Sequence, residues 1–166
     1  MTTGGLLVLG IGNSILTDDG LGVHVVEALR DSDALPPGTT VVDGGTNGLS
    51  LLPLIAEAGA LVIVDAVDVG AEPGSVHVLH GADRYADLRH LSVHQVGAAD
   101  LLAAASLTGA LPAQVVLIGA QPESLGPGVD LTPTVRAALP EVIGTVLQWC
   151  GRMSAGDPVG VEVPGA

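Results

Sequence analysis

The chain has 166 residues, 48% of them hydrophobic, and a formal net charge of −13, with five arginines, no lysine and a single cysteine, Cys150. That length fits one domain burying roughly 70% of its unfolded surface, and the charge leaves nothing to neutralise phosphates, which excludes nucleic acid and anionic lipid as partners. A lone cysteine excludes an internal disulfide and any CxxC redox or zinc motif.

No window reaches the roughly 18 to 20 consecutive apolar residues of a membrane span, and the first residues lack the basic stretch of a signal peptide. A cytoplasmic protein with no membrane partner is expected. Tyr85 and Trp149 are the only large aromatic side chains. The core must therefore come from Val, Leu, Ile and Ala, the residues of buried parallel strands and their covering helices.

Leu6–Ile11 is a continuous apolar run ending in glycines, the pattern of a fully buried strand. Thr17 or Asp18 can cap a helix over residues 21–30, with Leu21, Val25 and Leu29 on one face. Residues 31–39, with Pro36-Pro37-Gly38, connect to a short strand at 40–43 that ends in Asp43-Gly44-Gly45-Thr46, and a helix over 49–57 follows. Leu61-Val62-Ile63-Val64 is the most strand-like stretch and ends on Asp65, with Asp68 in the turn beyond.

Residues 75–80 alternate Val76 and Val78 with His77 and His80, which predicts an edge strand with one wet face, antiparallel to the rest. Ser92-Val93-His94-Gln95 has the spacing of a capping box and places His94 in the first turn of a helix running to about Leu107. Gln114–Ala120 is another apolar strand. After a Pro/Gly-rich loop, Thr132-Pro133 opens a last helix to about Cys150, proline being suited to the first helical position. Residues 1–150 form the domain, and 151–166 read as a loose tail.

Strands alternating with helices imply an α/β fold whose mostly parallel sheet, of about five strands, is covered on both faces. Ligands of such sheets bind outside the carboxyl ends of the strands. Here those ends are acidic: Asp18 and Asp19 after the first strand, Asp43 after the second, Asp65 and Asp68 after the third. Asp18 and Asp19 have an ordinary alternative role as helix-start acids. Asp65 is harder to explain that way, because a carboxylate abutting a buried strand is costly to desolvate unless it meets a cation or hydrogen-bond donors.

A helix N-terminus keeps His94 neutral, the form that binds metals. One imidazole with two carboxylates suits a first-row metal such as nickel, zinc or iron. His24, His77, His80 and His90 read as surface residues and Cys150 as a packing residue. Gly10-Ile11-Gly12 begins like a dinucleotide fingerprint, but Ile15 stands at the third glycine position and the loop is acidic where pyrophosphate would sit, so no nucleotide cofactor is expected.

The segments Gly10-Ile11-Gly12-Asn13, Thr17-Asp18-Asp19-Gly20, Asp43-Gly44-Gly45-Thr46, Val64-Asp65-Ala66, Ser92-Val93-His94-Gln95, Gln121-Pro122-Glu123 and Leu131-Thr132-Pro133 occur in order. In that order the chain resembles the hydrogenase maturation endopeptidases. The resemblance implies a three-layer α/β/α sandwich and an endopeptidase that trims the C-terminal extension of a nickel-iron hydrogenase large-subunit precursor after nickel insertion.

It further implies that Asp19, Asp65 and His94 contact the metal and carry the catalysis, and that Asp43, Gly44, Gly45 and Thr46 lie beside the precursor's tail. Family members often carry Glu at the position of Asp19, which makes Asp18 a second candidate for that contact. The nickel would arrive with the precursor, leaving the isolated protein's site empty. A non-catalytic metallochaperone that docks the nickel-loaded large subunit would use the same acidic edge.

Overall fold

The computed structural model describes residues 4–80, 97–157 and 159. Its elements are β1 (Leu6–Ile11), α1 (Leu21–Leu29), β2 (Thr40–Gly45), α2 (Leu52–Glu57), β3 (Ala60–Ala66), β4 (Val76–His80), α3 (Ala98–Leu107), β5 (Gln114–Ala120) and α4 (Pro133–Ser154). The strands form one sheet in the order β2-β1-β3-β5-β4. All pairings are parallel except β4 with β5, so the antiparallel edge strand falls where the alternation at 75–80 puts it.

The continuous apolar runs of β1 and β3 follow from this placement, because both faces of each strand are covered. Leu6 and Val8 point into a layer built with α1 and α4, while Leu7, Leu9 and Ile11 point into one built with α2 and α3. β3 divides in the same way, with Val62 and Val64 against α1 and α4 and Leu61 and Ile63 against the other helices. Each such side chain, fully removed from water, contributes roughly 1.5–3 kcal/mol, which is how a chain nearly without aromatic rings holds a three-layer α/β/α sandwich together.

Glycines set how closely α1 lies on the sheet. A Cβ on Gly22 would stand 2.3 Å from the carbonyl oxygen of Ile11 and 2.4 Å from that of Val64. A Cβ on Gly10 would stand 2.3 Å from the carbonyl oxygen of Gly22. The first turn of α1 therefore rests directly on backbone at the carboxyl ends of β1 and β3, a contact that any larger residue would push apart.

Several boundaries differ from the sequence reading. Neither Thr17 nor Asp18 caps α1: a 3-10 turn over Thr17–Gly20 runs straight into the helix, whose N-cap is Gly20. The second helix likewise starts as a 3-10 turn, Gly48–Leu51, before α2. α3 begins at Ala98 with Gly97 as its N-cap, and the Asp100 carboxylate accepts the Gly97 N–H at 3.2 Å, so the predicted Ser92–Gln95 start is not the N-terminus of this helix. The Ser92-Val93-His94-Gln95 motif itself lies outside the described residues, as does His90.

α4 runs to Ser154, because Trp149, Cys150 and Met153 extend its buried stripe beyond the predicted end. All five residues of β4 are half-buried, not alternately wet and dry. His80 packs its ring against Trp149 with centroids 5.2 Å apart, and the His77 ring shares a 2.8 Å hydrogen bond with the Ser75 hydroxyl. His24 is half-buried, and its Nε2 has no hydrogen-bond partner.

Candidate active site

The parallel strands deliver their carboxyl ends, and the acids that follow them, to one edge of the sheet. Asp65 is the penultimate residue of the central strand β3 and is only 2% exposed. It pairs in register with Gly119 of β5, where a Cβ would stand 2.4 Å from the Asp65 carbonyl oxygen. Its side chain turns to the α3 side, where Oδ2 accepts the backbone N–H of Ala98 at 3.2 Å. That N–H belongs to the first turn of α3, so the helix dipole favours negative charge at this point.

Asp19 is 1% exposed and sits on the 3-10 turn that packs against β3. Its Oδ2 accepts the backbone N–H of Asn13 at 3.0 Å. The structure thus places one nearly dry carboxylate at the end of β3 and another on a turn that packs against β3. Removing a carboxylate from water costs several kcal/mol unless donors or a cation compensate it, and the N–H groups of Asn13 and Ala98 supply part of that compensation here. Carboxylate oxygens by themselves suit hard divalent cations, and an imidazole is the donor that would suit nickel, zinc or iron. His94, the third residue named from the sequence, lies outside the described residues, and among the described residues there is no cluster of three or more metal-ligating side chains.

Asp18, beside Asp19, is wholly buried, and its carboxylate is directed to the segment 123–132. It accepts hydrogen bonds from the backbone N–H groups of Glu123, Ser124 and Thr132 and from the Thr132 hydroxyl. This role was missed in the sequence because an acid next to a helix start looks like a cap. The signal that could have revealed it is Thr132-Pro133, a second helix start with a hydroxyl to offer.

The 43–46 turn stands at the same edge. The Asp43 Oδ1 accepts the Gly45 N–H at 2.9 Å, Gly45 adopts a left-handed φ of 47°, and the Gly45 carbonyl accepts the Gly12 N–H at 3.0 Å. Asp43 and Thr46 are exposed, Gly44 is buried, and a Cβ on Gly44 would meet the Leu9 and Leu51 side chains at 2.9 and 3.0 Å. The turn therefore offers polar groups on one side and packs tightly on the other.

Asp68 is exposed, and the Gln121 side-chain amide, with the Gly70 N–H, holds its carboxyl below the usual value near 3.8. Buried Gln121 also accepts the N–H groups of Val69 and Ala71 at 2.8 and 3.2 Å, which fixes the loop after β3. Gln121 stands in the sequence only as part of the Gln121-Pro122-Glu123 segment, and its role in holding the loop after β3 comes from the structure. Cys150 lies on the buried face of α4, and burial pushes its thiol up to about 12, which does not suit a nucleophile.

A three-layer sandwich with buried carboxylates toward the carboxyl edge of its mostly parallel sheet defines the chain as an α/β protein of the sandwich class. Comparison with known proteins takes this class to a particular family. The family model described as hydrogenase maturation protease matches residues 23–149. The Escherichia coli hydrogenase 2 maturation protease is 42% identical over 144 residues, covering 86% of this chain and 88% of that protein. The hydrogenase expression/formation protein HoxM of Azotobacter vinelandii is 38% identical over 152 residues, covering 90% and 73%.

The structure of the hydrogenase maturating endopeptidase HybD from E. coli superposes with a TM-score of 0.79 at 39% identity, covering 91% of this chain and 93% of that one. The chain belongs to the hydrogenase maturation protease family and is a peptidase.

Proposed function

We propose that this peptidase removes the C-terminal extension of a nickel-iron hydrogenase large-subunit precursor once nickel has been inserted, and that it recognises the precursor by that nickel. The reading rests on one observation above all: Asp19 and Asp65, the two acids expected to meet the metal, are 1% and 2% exposed, one on the turn that packs against β3 and the other at the end of β3. Buried carboxylates at a sheet edge gain by meeting a cation that arrives with its substrate. His94 supplies the third contact. The 43–46 turn, with Asp43, Gly44, Gly45 and Thr46, runs beside the precursor's tail.

In hydrolysis, water adds to the scissile carbonyl carbon, the C–N bond breaks, and the leaving amine takes up a proton. Held at the precursor's metal, the protein places that bond against Asp19 and Asp65, either of which can accept the water's proton as general base. The described residues contain no helix long and apolar enough to cross a membrane. In this proposal the reaction belongs to the cytoplasm.

The test is to incubate the protein with nickel-loaded and nickel-free precursor and to weigh the products by mass spectrometry. Cleavage of the loaded form alone is expected, and its loss in Asp65→Ala, Asp19→Ala and His94→Ala variants that remain folded by circular dichroism. Parental cleavage by the folded variants would remove these residues from the mechanism. Cutting of both precursors would remove nickel from recognition.

A further inference from the structure

Asp18 is 0% exposed, and its two oxygens are occupied from inside the protein. Oδ2 accepts the N–H groups of Glu123 at 2.9 Å and Ser124 at 3.0 Å, Oδ1 accepts the N–H of Thr132 at 2.8 Å, and the Thr132 hydroxyl lies 3.0 and 2.9 Å from Oδ1 and Oδ2. A carboxylate has about four acceptor positions, so this one is filled by the chain itself and has little left for an external ligand.

The same two segments are joined along their backbones. The Thr17 N–H donates to the Gly128 carbonyl at 2.9 Å, the Gly128 N–H to Ile15 at 3.0 Å, and the Asp18 N–H to Ser124 at 3.1 Å. The Thr17 hydroxyl donates to the Gly126 carbonyl. Between these ties Thr17 has a φ of 51°, the left-handed region that a β-branched residue enters only when its surroundings hold it there. The residue after this pinned pair is Asp19.

We propose that Asp18 is a positioning residue for the cleavage reaction. By fastening the Thr17–Gly20 turn to the segment 123–132, it fixes where the Asp19 carboxylate stands at the sheet edge. The inference rests on the reading of Asp19 as a group that meets the precursor's metal.

Asp18→Asn keeps the size of the side chain but replaces one acceptor oxygen with an amide that faces N–H donors. Thr132→Val keeps Asp18 and removes only the hydroxyl. Both variants are compared with the parent and with Asp19→Ala for kcat and KM on nickel-loaded precursor. Hydrogen exchange at the Asn13 amide, which donates to Asp19, is followed by NMR at a temperature where each is folded.

Since an ångström of misplacement costs about a hundredfold in rate, Asp18→Asn should lower kcat by about tenfold or more with little change in KM. Protection of the Asn13 amide should fall with it, and Thr132→Val should move both readouts less, in the same direction. A role confined to stability would lower the melting temperature and leave kcat and Asn13 protection in the folded protein unchanged, which overturns the proposal.

If Asp18→Asn does not fold, Thr132→Val decides. Parental cleavage by Asp19→Ala would sink the metal-contact reading, and this proposal with it. An inactive Asp19→Ala beside unaffected Asp18→Asn and Thr132→Val would sink the positioning role alone.

Discussion

Replacing Gly22 with alanine adds one methyl group between α1 and the sheet. That Cβ would lie 2.3 Å from the Ile11 carbonyl oxygen and 2.4 Å from that of Val64, both backbone atoms of central strands. Neither can rotate aside, so the helix must back away by about 1 Å to restore ordinary contact, and overpacking of this kind costs about 1–3 kcal/mol. Because both obstacles are backbone, the upper end applies. Alanine's better helix propensity returns about 1 kcal/mol, leaving a net loss of about 2 kcal/mol.

In a domain of this length that loss lowers the melting temperature by roughly 4–8 °C. The displacement also carries the Thr17–Gly20 turn, and an ångström at Asp19 should slow precursor cleavage by about a hundredfold. Thermal unfolding followed by circular dichroism, and product mass at a temperature where the variant is folded, give the two numbers. A Gly22→Ala protein with an unchanged melting temperature and parental cleavage would refute the claim that this contact sets the spacing of helix and sheet.

Cys150, with its thiol pushed up to about 12 by burial, should resist iodoacetamide at pH 8 in the native protein and be alkylated once urea unfolds it; native labelling at the unfolded rate would contradict its burial. Asp68 titrates below its usual value near 3.8, so its contribution to stability is present above that pH and is lost as pH falls through the lower folded value. Urea midpoints of the parent and Asp68→Asn should therefore converge below about pH 4, and an unchanged gap at pH 3 would count against the Gln121 contact. Gln121→Leu leaves the N–H groups of Val69 and Ala71 without their acceptor and should destabilise by about 1–3 kcal/mol in urea unfolding, while the NMR-detected titration of Asp68 moves up toward its ordinary value.

The sheet could be read from the chain because parallel strands covered on both faces must be apolar throughout, and among the described residues β1, β3 and β5 are the strands that are buried almost from end to end. β4 announced itself as antiparallel by its alternating valines and histidines. Its burial was misjudged, since Trp149 covers His80 from a helix some seventy residues away, a contact that no local pattern encodes. The acids after each strand were legible as a set for the same topological reason.

What separates Asp18 from Asp19 was not legible. Both are short acids at a helix start, and only the arrival of Glu123, Ser124 and Thr132 from far along the chain gives the first one its partners. The N-terminus of α3 was placed too early because Ser92 and Gln95 have capping-box spacing, whereas Gly97 with Asp100 makes the cap that is used.

The hydrogen bonds of Asp18 span 105, 106 and 114 residues of sequence. During synthesis, which proceeds from the N-terminus, β1 and the turn bearing Asp19 leave the ribosome long before Thr132 does. Loop closure across such a separation must await the later strands and α4. The turn bearing Asp19 thus gains these ties only once the segment 123–132 is present, so a nascent or truncated chain that lacks it carries the acidic residues without the contacts that hold them.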